Sequence, residues 1–195
     1  MNYSAAKEFI VAKLRAELSD VLSYHGVHHT LDVLKMASSI GKNEGVSASE
    51  LALLKTAALF HDAGFVKNKH LGHEAEGCVI AREVLPTFGY RPDQVERICG
   101  MIMATKIPQS PQNLLEQIIC DADLDYLGRA DFYPIGNSLY REMLAYGLIG
   151  NEKDWNVLQV NFLSRHQFHT DTNKRLREPV KQRYLNDLES IVSKY

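Results

Sequence analysis

Apolar side chains recur three or four residues apart along almost the whole chain, as with Phe9, Ile10, Leu14 and Leu18, then Leu31, Leu34, Ala37 and Ile40. That period lines one face of an α-helix, whereas a half-buried strand alternates every second residue, and no convincing run of that kind occurs. The expected fold is all-α, a bundle of about eight helices. Ser47-Ala48-Ser49-Glu50 has capping-box spacing ahead of "LALLKTAALF", which predicts a helix running into His61 and Asp62, with Gly64 turning the chain out of it. "HEAEGCVIAREVL" closes at Pro86, Pro92 suits a first helical turn, and Ser110-Pro111 repeats a cap-then-proline pattern before "NLLEQIICDADLDYL". Amphipathic segments follow over roughly 131–146 and 154–168, and the last segment is helical on both sides of Pro179.

With 195 residues the chain is expected to form a single domain, 1–195, with a sizeable core. Lys and Arg (22) nearly balance Asp and Glu (24), so no broad basic field marks a nucleic-acid binder. Cys78, Cys99 and Cys120 lie too far apart for a Cys-x-x-Cys pair and read as small buried residues in a reducing compartment. Lys7, Glu8, Lys13, Arg15 and Glu17 interrupt the N-terminal stretch, which is therefore neither a signal peptide nor a membrane span. Nothing else is long and apolar enough to span, and the expected location is cytoplasmic.

The apolar run "AALFHDAGFV" ends on two adjacent ionisable residues, His61 and Asp62. Where a helix ends, the backbone no longer forces neighbouring side chains onto different faces, so such a pair can reach one ion. Two other donor groups lie at helix ends or interiors: His25, His28 and His29 in "YHGVHHT", and Asp121, Asp123 and Asp125 in "CDADLDYL". Inward-facing histidines and carboxylates are how helical domains build metal sites, and imidazole with carboxylate suits a divalent ion such as Mn, Fe, Co, Ni or Zn.

The order His, His-Asp, Asp, carried by "YHGVHHTLDVLKMA", "AALFHDAGF" and "DADLDYLG" with "FLSRHQFHTDTNKRLREPVKQRYL" downstream, resembles the HD-domain superfamily of metal-dependent phosphohydrolases. The resemblance covers roughly residues 24 to 185 and implies a metal-site core over about 24–130 with C-terminal helices over about 131–195. It implies His29, His61 and Asp62 as metal ligands, with Asp123 as the last and Asp121 as the alternative. His25 matches the position where cyclic-nucleotide phosphodiesterases of the superfamily place a proton donor. His73 could serve a second metal, but the further histidine of two-metal members falls where this chain has Ala104 and Thr105. One ion is therefore expected: Mn, Fe, Co, Ni, Zn or Mg.

The implied chemistry is hydrolysis of a small-molecule phosphate ester, with a nucleotide as the expected substrate class. Water activated by the metal attacks phosphorus, Asp62 or Asp123 positions or deprotonates it, and His25 or His73 protonates the departing oxygen. Lys67, Lys106 and Arg129 are candidates to hold the phosphate, with solvated surface cations as the competing reading. His28 is a helix-start neighbour, Asp125 either orients a ligand histidine or is exposed, and His70, His166 and His169 are framework residues. Trp155, Tyr126, Tyr133, Tyr140 and Tyr146 read as core or rim. Two other functions compete. Lys174, Arg175, Arg177, Lys181 and Arg183 could form a stripe for nucleic acid or a protein partner beside a structural or lost metal site. Oxidation by a di-iron pair would require the second metal that Ala104 argues against.

Overall fold

Several helix starts in this chain, those at Tyr3, Ala48, Leu114, Glu152 and Asp171, are set by side chains that accept hydrogen bonds from the otherwise orphaned first N–H groups. In the computed structural model, which describes residues 1–67 and 72–195, Ser47 and Glu50 form the reciprocal capping box, with Glu50 N donating to Ser47 Oγ at 3.3 Å and Ser47 N to Glu50 Oε2 at 3.1 Å. His70 lies outside the described residues. Ten α-helices and no strand occur among the described residues. They are α1 (Tyr3–Glu17), α2 (Val27–Asn43), α3 (Ala48–Phe60), α4 (His73–Val84), α5 (Pro92–Ala104), α6 (Leu114–Asp123), α7 (Phe132–Ala145), α8 (Glu152–Arg165), α9 (Asp171–Leu176) and α10 (Glu178–Val192). Short 3-10 turns at Ala63–Lys67, Leu85–Phe88 and Asp125–Gly128 follow α3, α4 and α6.

Two starts differ from expectation. α6 is capped by Asn113, whose Oδ1 accepts from Glu116 N at 3.2 Å, rather than by Ser110. Asn113 stands immediately before the first apolar residue of the helix, where its oxygen can reach the N3 amide. α8 begins at Glu152 because Asn151 Oδ1 accepts from Asp154 N at 3.0 Å. The final segment divides at Arg177 into α9 and α10, since Pro179 has no N–H to continue the ladder and suits the first turn of a new helix.

Helices α1 to α6 enclose the larger core, with Leu54, Phe60, Ile98, Ile102 and Ile118 among its fully buried side chains. α3 runs through its centre and buries every residue from Ala57 to Phe60, so it delivers His61 and Asp62 to a dry location. A second cluster, including Tyr24, Leu127, Phe132, Leu163, Phe168 and Leu185, joins the C-terminal helices to the chain just before α2 and just after α6. Cys78, Cys99 and Cys120 are buried free thiols. No helix among the described residues is long and apolar enough to cross a membrane.

Polar ties lock the two clusters together. Asp121, fully buried, accepts from His169 N and Thr170 N at 2.8 Å each and from Thr170 Oγ1 at 2.6 Å. Asp125 is also buried and accepts from Asn173 Nδ2 at 3.0 Å and Arg177 Nε at 2.9 Å. It is neither exposed nor in contact with a ligand histidine, because it anchors α9 and α10. The basic stripe loses two of its five members, while Lys174, Arg175 and Arg183 remain exposed. Lys181 is buried, with its ammonium donating to the His166 carbonyl and to Glu178 Oε1 at 2.8 Å, and Arg177 is held by Asp125.

Asp121→Ala leaves two backbone N–H groups and a hydroxyl without an acceptor, and is expected to lower stability by about 3 kcal/mol. Urea denaturation reads this as a lower midpoint at an unchanged m-value.

Candidate metal centre

His61 sits one residue beyond α3 in a still-helical conformation, so its ring folds back and Nδ1–H donates to the Ala58 carbonyl at 2.8 Å. That bond fixes the tautomer and leaves the Nε2 lone pair facing inward. His29, from the first turn of α2, and Asp123, the last residue of α6, meet it there. His29 Nε2 lies 3.1 Å from Asp123 Oδ1 and 3.4 Å from His61 Nε2. One donor atom from each of His29, His61 and Asp123 falls within 4.8 Å of the others. Asp62 adds Oδ2, 3.1 Å from His61 Nε2 and 3.4 Å from His29 Nε2.

These groups fit a cation better than they fit one another. Asp62 Oδ2 is buried and makes no hydrogen bond of good geometry, although both imidazoles lie within ion-pair distance, and beside a second carboxylate it calls for positive charge. Burial disfavours the protonated form of His61, yet the Asp62 and Asp123 charges overcome it and lift its pKa well above the ordinary value. Burial likewise opposes ionisation of Asp62 and Asp123, but the histidines hold both carboxyls below the usual carboxylate range. Two imidazole nitrogens and two carboxylates form a donor set suited to a divalent first-row ion. Asp123 faces this point because Asp121 and Asp125, four residues apart, share the opposite side and are consumed by the C-terminal helices.

His73 opens α4 close beside the centre, with Nε2 3.5 Å from Asp62 Oδ1. The approach depends on Gly64: a Cβ there would lie 2.0 Å from the His73 carbonyl oxygen. Phe65 is sandwiched between two rings, 4.3 Å from His25 and 4.2 Å from His73. His25 Nδ1 is hydrogen-bonded to Glu142 Oε1, while Glu142 Oε2 accepts from Tyr24 N at 2.7 Å and His25 N at 3.0 Å. Burial disfavours the charged form of His25, but this bond and the Asp62, Glu142 and Asp123 charges raise its pKa above the ordinary value. Glu142 was not anticipated. Its one sequence signal is a carboxylate on the apolar stripe Ile135, Leu139, Glu142 of α7.

A cavity of about 530 Å³ opens from this centre and runs between α7 and α8. His25, Asp62, His73, Thr105 and Asp123 line its polar end, while Leu139, Met143, Leu158 and Phe162 line the remainder. Thr105 Oγ1 donates to the Ile102 carbonyl at 2.8 Å, and Ala104 offers no donor atom, so neither stands in for a metal-binding histidine. The three cations expected at the phosphate do not line the cavity. Lys67 pairs with Glu76 at 2.7 Å and Lys106 is exposed. Arg129 is satisfied by Asp131 at 2.9 Å and Asp32 at 2.8 Å, with Asp125 at 3.5 Å, which leaves its fork no free face for phosphate. His28 is exposed.

Solved structures share this architecture. Bacillus subtilis YpgQ, in a complex with ADP, is 22% identical with a TM-score of 0.66 over 100% of this chain and 97% of its own. A predicted HD superfamily hydrolase from an uncultured Thermotogales bacterium is 21% identical, TM-score 0.63, over 96% and 91% of the two chains. A protein from Lactobacillus plantarum is 18% identical, TM-score 0.65, over 100% and 98%. No curated protein matches the sequence. The HD domain family model matches residues 26–125, a span that begins just before α2, ends just after α6 and contains His29, His61, Asp62 and Asp123. By that match and the all-α fold around it, the chain belongs to the HD-domain superfamily of metal-dependent hydrolases.

Proposed function

We propose that this protein hydrolyses a phosphate ester of a nucleotide, using one divalent ion held by His29, His61, Asp62 and Asp123. The observation that carries the reading is the buried Asp62 Oδ2, which makes no hydrogen bond, converging with Asp123 on two imidazole nitrogens at the polar end of a cavity large enough for a nucleotide. The ADP held by Bacillus subtilis YpgQ supports a nucleotide as the substrate class. When bound, a divalent ion would neutralise charge on a phosphoryl oxygen and acidify water.

The chain's own residues do the rest. His25, on the cavity wall and hydrogen-bonded through Nδ1 to Glu142, is biased toward its protonated form and presents its other ring nitrogen to the departing ester oxygen. Asp62 uses Oδ2 toward the ligand histidines, and Oδ1, beside His73, is placed to accept a proton from the attacking water. The Phe65 ring holds His25 and His73 in fixed orientation and excludes solvent between them.

Chelator-treated protein, assayed against phosphomonoesters, nucleotides and cyclic dinucleotides with Mn, Co, Ni, Mg or Zn added back, is expected to regain nucleotide hydrolysis with at least one first-row ion. Hydrolysis indifferent to chelator would sink the reading.

A further inference from the structure

Beyond its catalytic end the cavity becomes a largely apolar chamber, and the buried amide of Gln159 lies in its wall along with the polar edges of Trp155 and Tyr146. Leu139 and Met143 of α7 face Leu158 and Phe162 of α8, and Trp155 and Gln159 also line the cavity. Gln159 is only 9% exposed. Its amide is oriented by a chain of hydrogen bonds: Asn156 Nδ2 donates to the Tyr195 hydroxyl at 2.6 Å, so Asn156 Oδ1 is free to accept from Gln159 Nε2 at 3.3 Å. Gln159 makes no other hydrogen bond among the described residues, which leaves Oε1 and the second N–H without a protein partner.

That arrangement discriminates between ligand classes. An acyl chain would match Leu139, Met143, Leu158 and Phe162 but would strand the Gln159 amide, at about 1–3 kcal/mol for a buried polar group left unpaired. A sugar phosphate would satisfy the amide and leave the apolar walls against hydroxyls. A nucleobase does neither, because its faces are apolar and its edge carries donors and acceptors side by side, the pattern a glutamine amide reads bidentately.

We infer that the α7–α8 chamber is the nucleobase seat, with Leu139, Met143, Leu158 and Phe162 packing on the base and Gln159 reading its edge. This inference rests on the nucleotide reading of the site. It places the specificity determinants in helices outside the matched residues 26–125.

The only tryptophan of the chain, Trp155, lies in the cavity wall and reports occupancy without catalysis or metal. Adenosine, guanosine, cytidine and uridine, titrated into the metal-free protein, are expected to quench its fluorescence saturably, with one base preferred. Gln159→Leu is expected to weaken the preferred nucleoside at least tenfold and, with metal restored, to raise KM for its monophosphate more than it lowers kcat. Leu158→Glu, at a position 36% exposed and tolerant of a charge, is expected to weaken all four nucleosides. Emission unaffected by every nucleoside, or quenched alike in wild type and Gln159→Leu, overturns the seat. Nucleotide hydrolysis without nucleoside quenching would sink the seat alone, whereas quenching without hydrolysis of any phosphate ester would sink the activity and keep the seat.

Discussion

Asp62→Asn is expected to lower metal-dependent hydrolysis by about 10³-fold or more, the largest effect of any single change to this protein. The asparagine keeps the shape of the side chain, but it removes the charge that Oδ2 presents to the centre and that Oδ1 carries beside His73. A stability measurement separates loss of a ligand from misfolding. Asp62 and Asp123 share one buried pocket with two histidines that hold their carboxyls ionised, so the metal-free variant loses part of this pairing and should melt below the metal-free wild type while still unfolding in one cooperative transition. Added Mn or Co should raise the melting temperature of the wild type and leave that of Asp62→Asn almost unmoved. A variant that melts normally, still gains stability from metal and still turns over at the wild-type rate would remove Asp62 from the mechanism.

Glu142→Gln is expected to lower turnover by about 10²-fold for esters with poor leaving groups and to leave activated aryl esters much less affected, the signature of lost general acid catalysis. The amide oxygen must stay on the Tyr24 and His25 N–H groups, which turns the NH₂ toward His25 Nδ1 and removes the acceptor that keeps the imidazole charged. The pH dependence follows from the same contact. A general acid is lost as pH rises through its pKa, and the carboxylates around His25 raise that pKa. The alkaline limb of kcat should therefore move to lower pH in Glu142→Gln. An equal loss for good and poor leaving groups, with an unshifted limb, would reduce Glu142 to a structural tie.

Much of the helical frame was legible because it depends on neighbours in sequence. The capping box at Ser47 and Glu50, the apolar period of α2 and α3, and the proline after α9 each act within one or two helical turns. The misread start of α6 is local too: Ser110 had the right side chain, but Asn113 was one residue from the first apolar position and reached the amide first. The carboxylates of "CDADLDYL" show where local reading stops. Asp121, Asp123 and Asp125 are chemically equivalent in sequence, and the C-terminal helices take the first and third through His169, Thr170, Asn173 and Arg177. Arg129 is likewise engaged by a distant partner, since Asp32 reaches it from a different helix.

The sequence by itself determined that this chain is helical and that it carries His29, His61, Asp62 and an aspartate near residue 121 in an order used by one superfamily, because periodicity, caps and motifs are properties of short segments. Only the tertiary structure decided which aspartate faces the centre, that Glu142 lies 117 residues from the histidine it holds, and that α7 and α8 wall the cavity. Those outcomes turn on which groups are desolvated together, and burial is shared among distant segments only once the helices have packed.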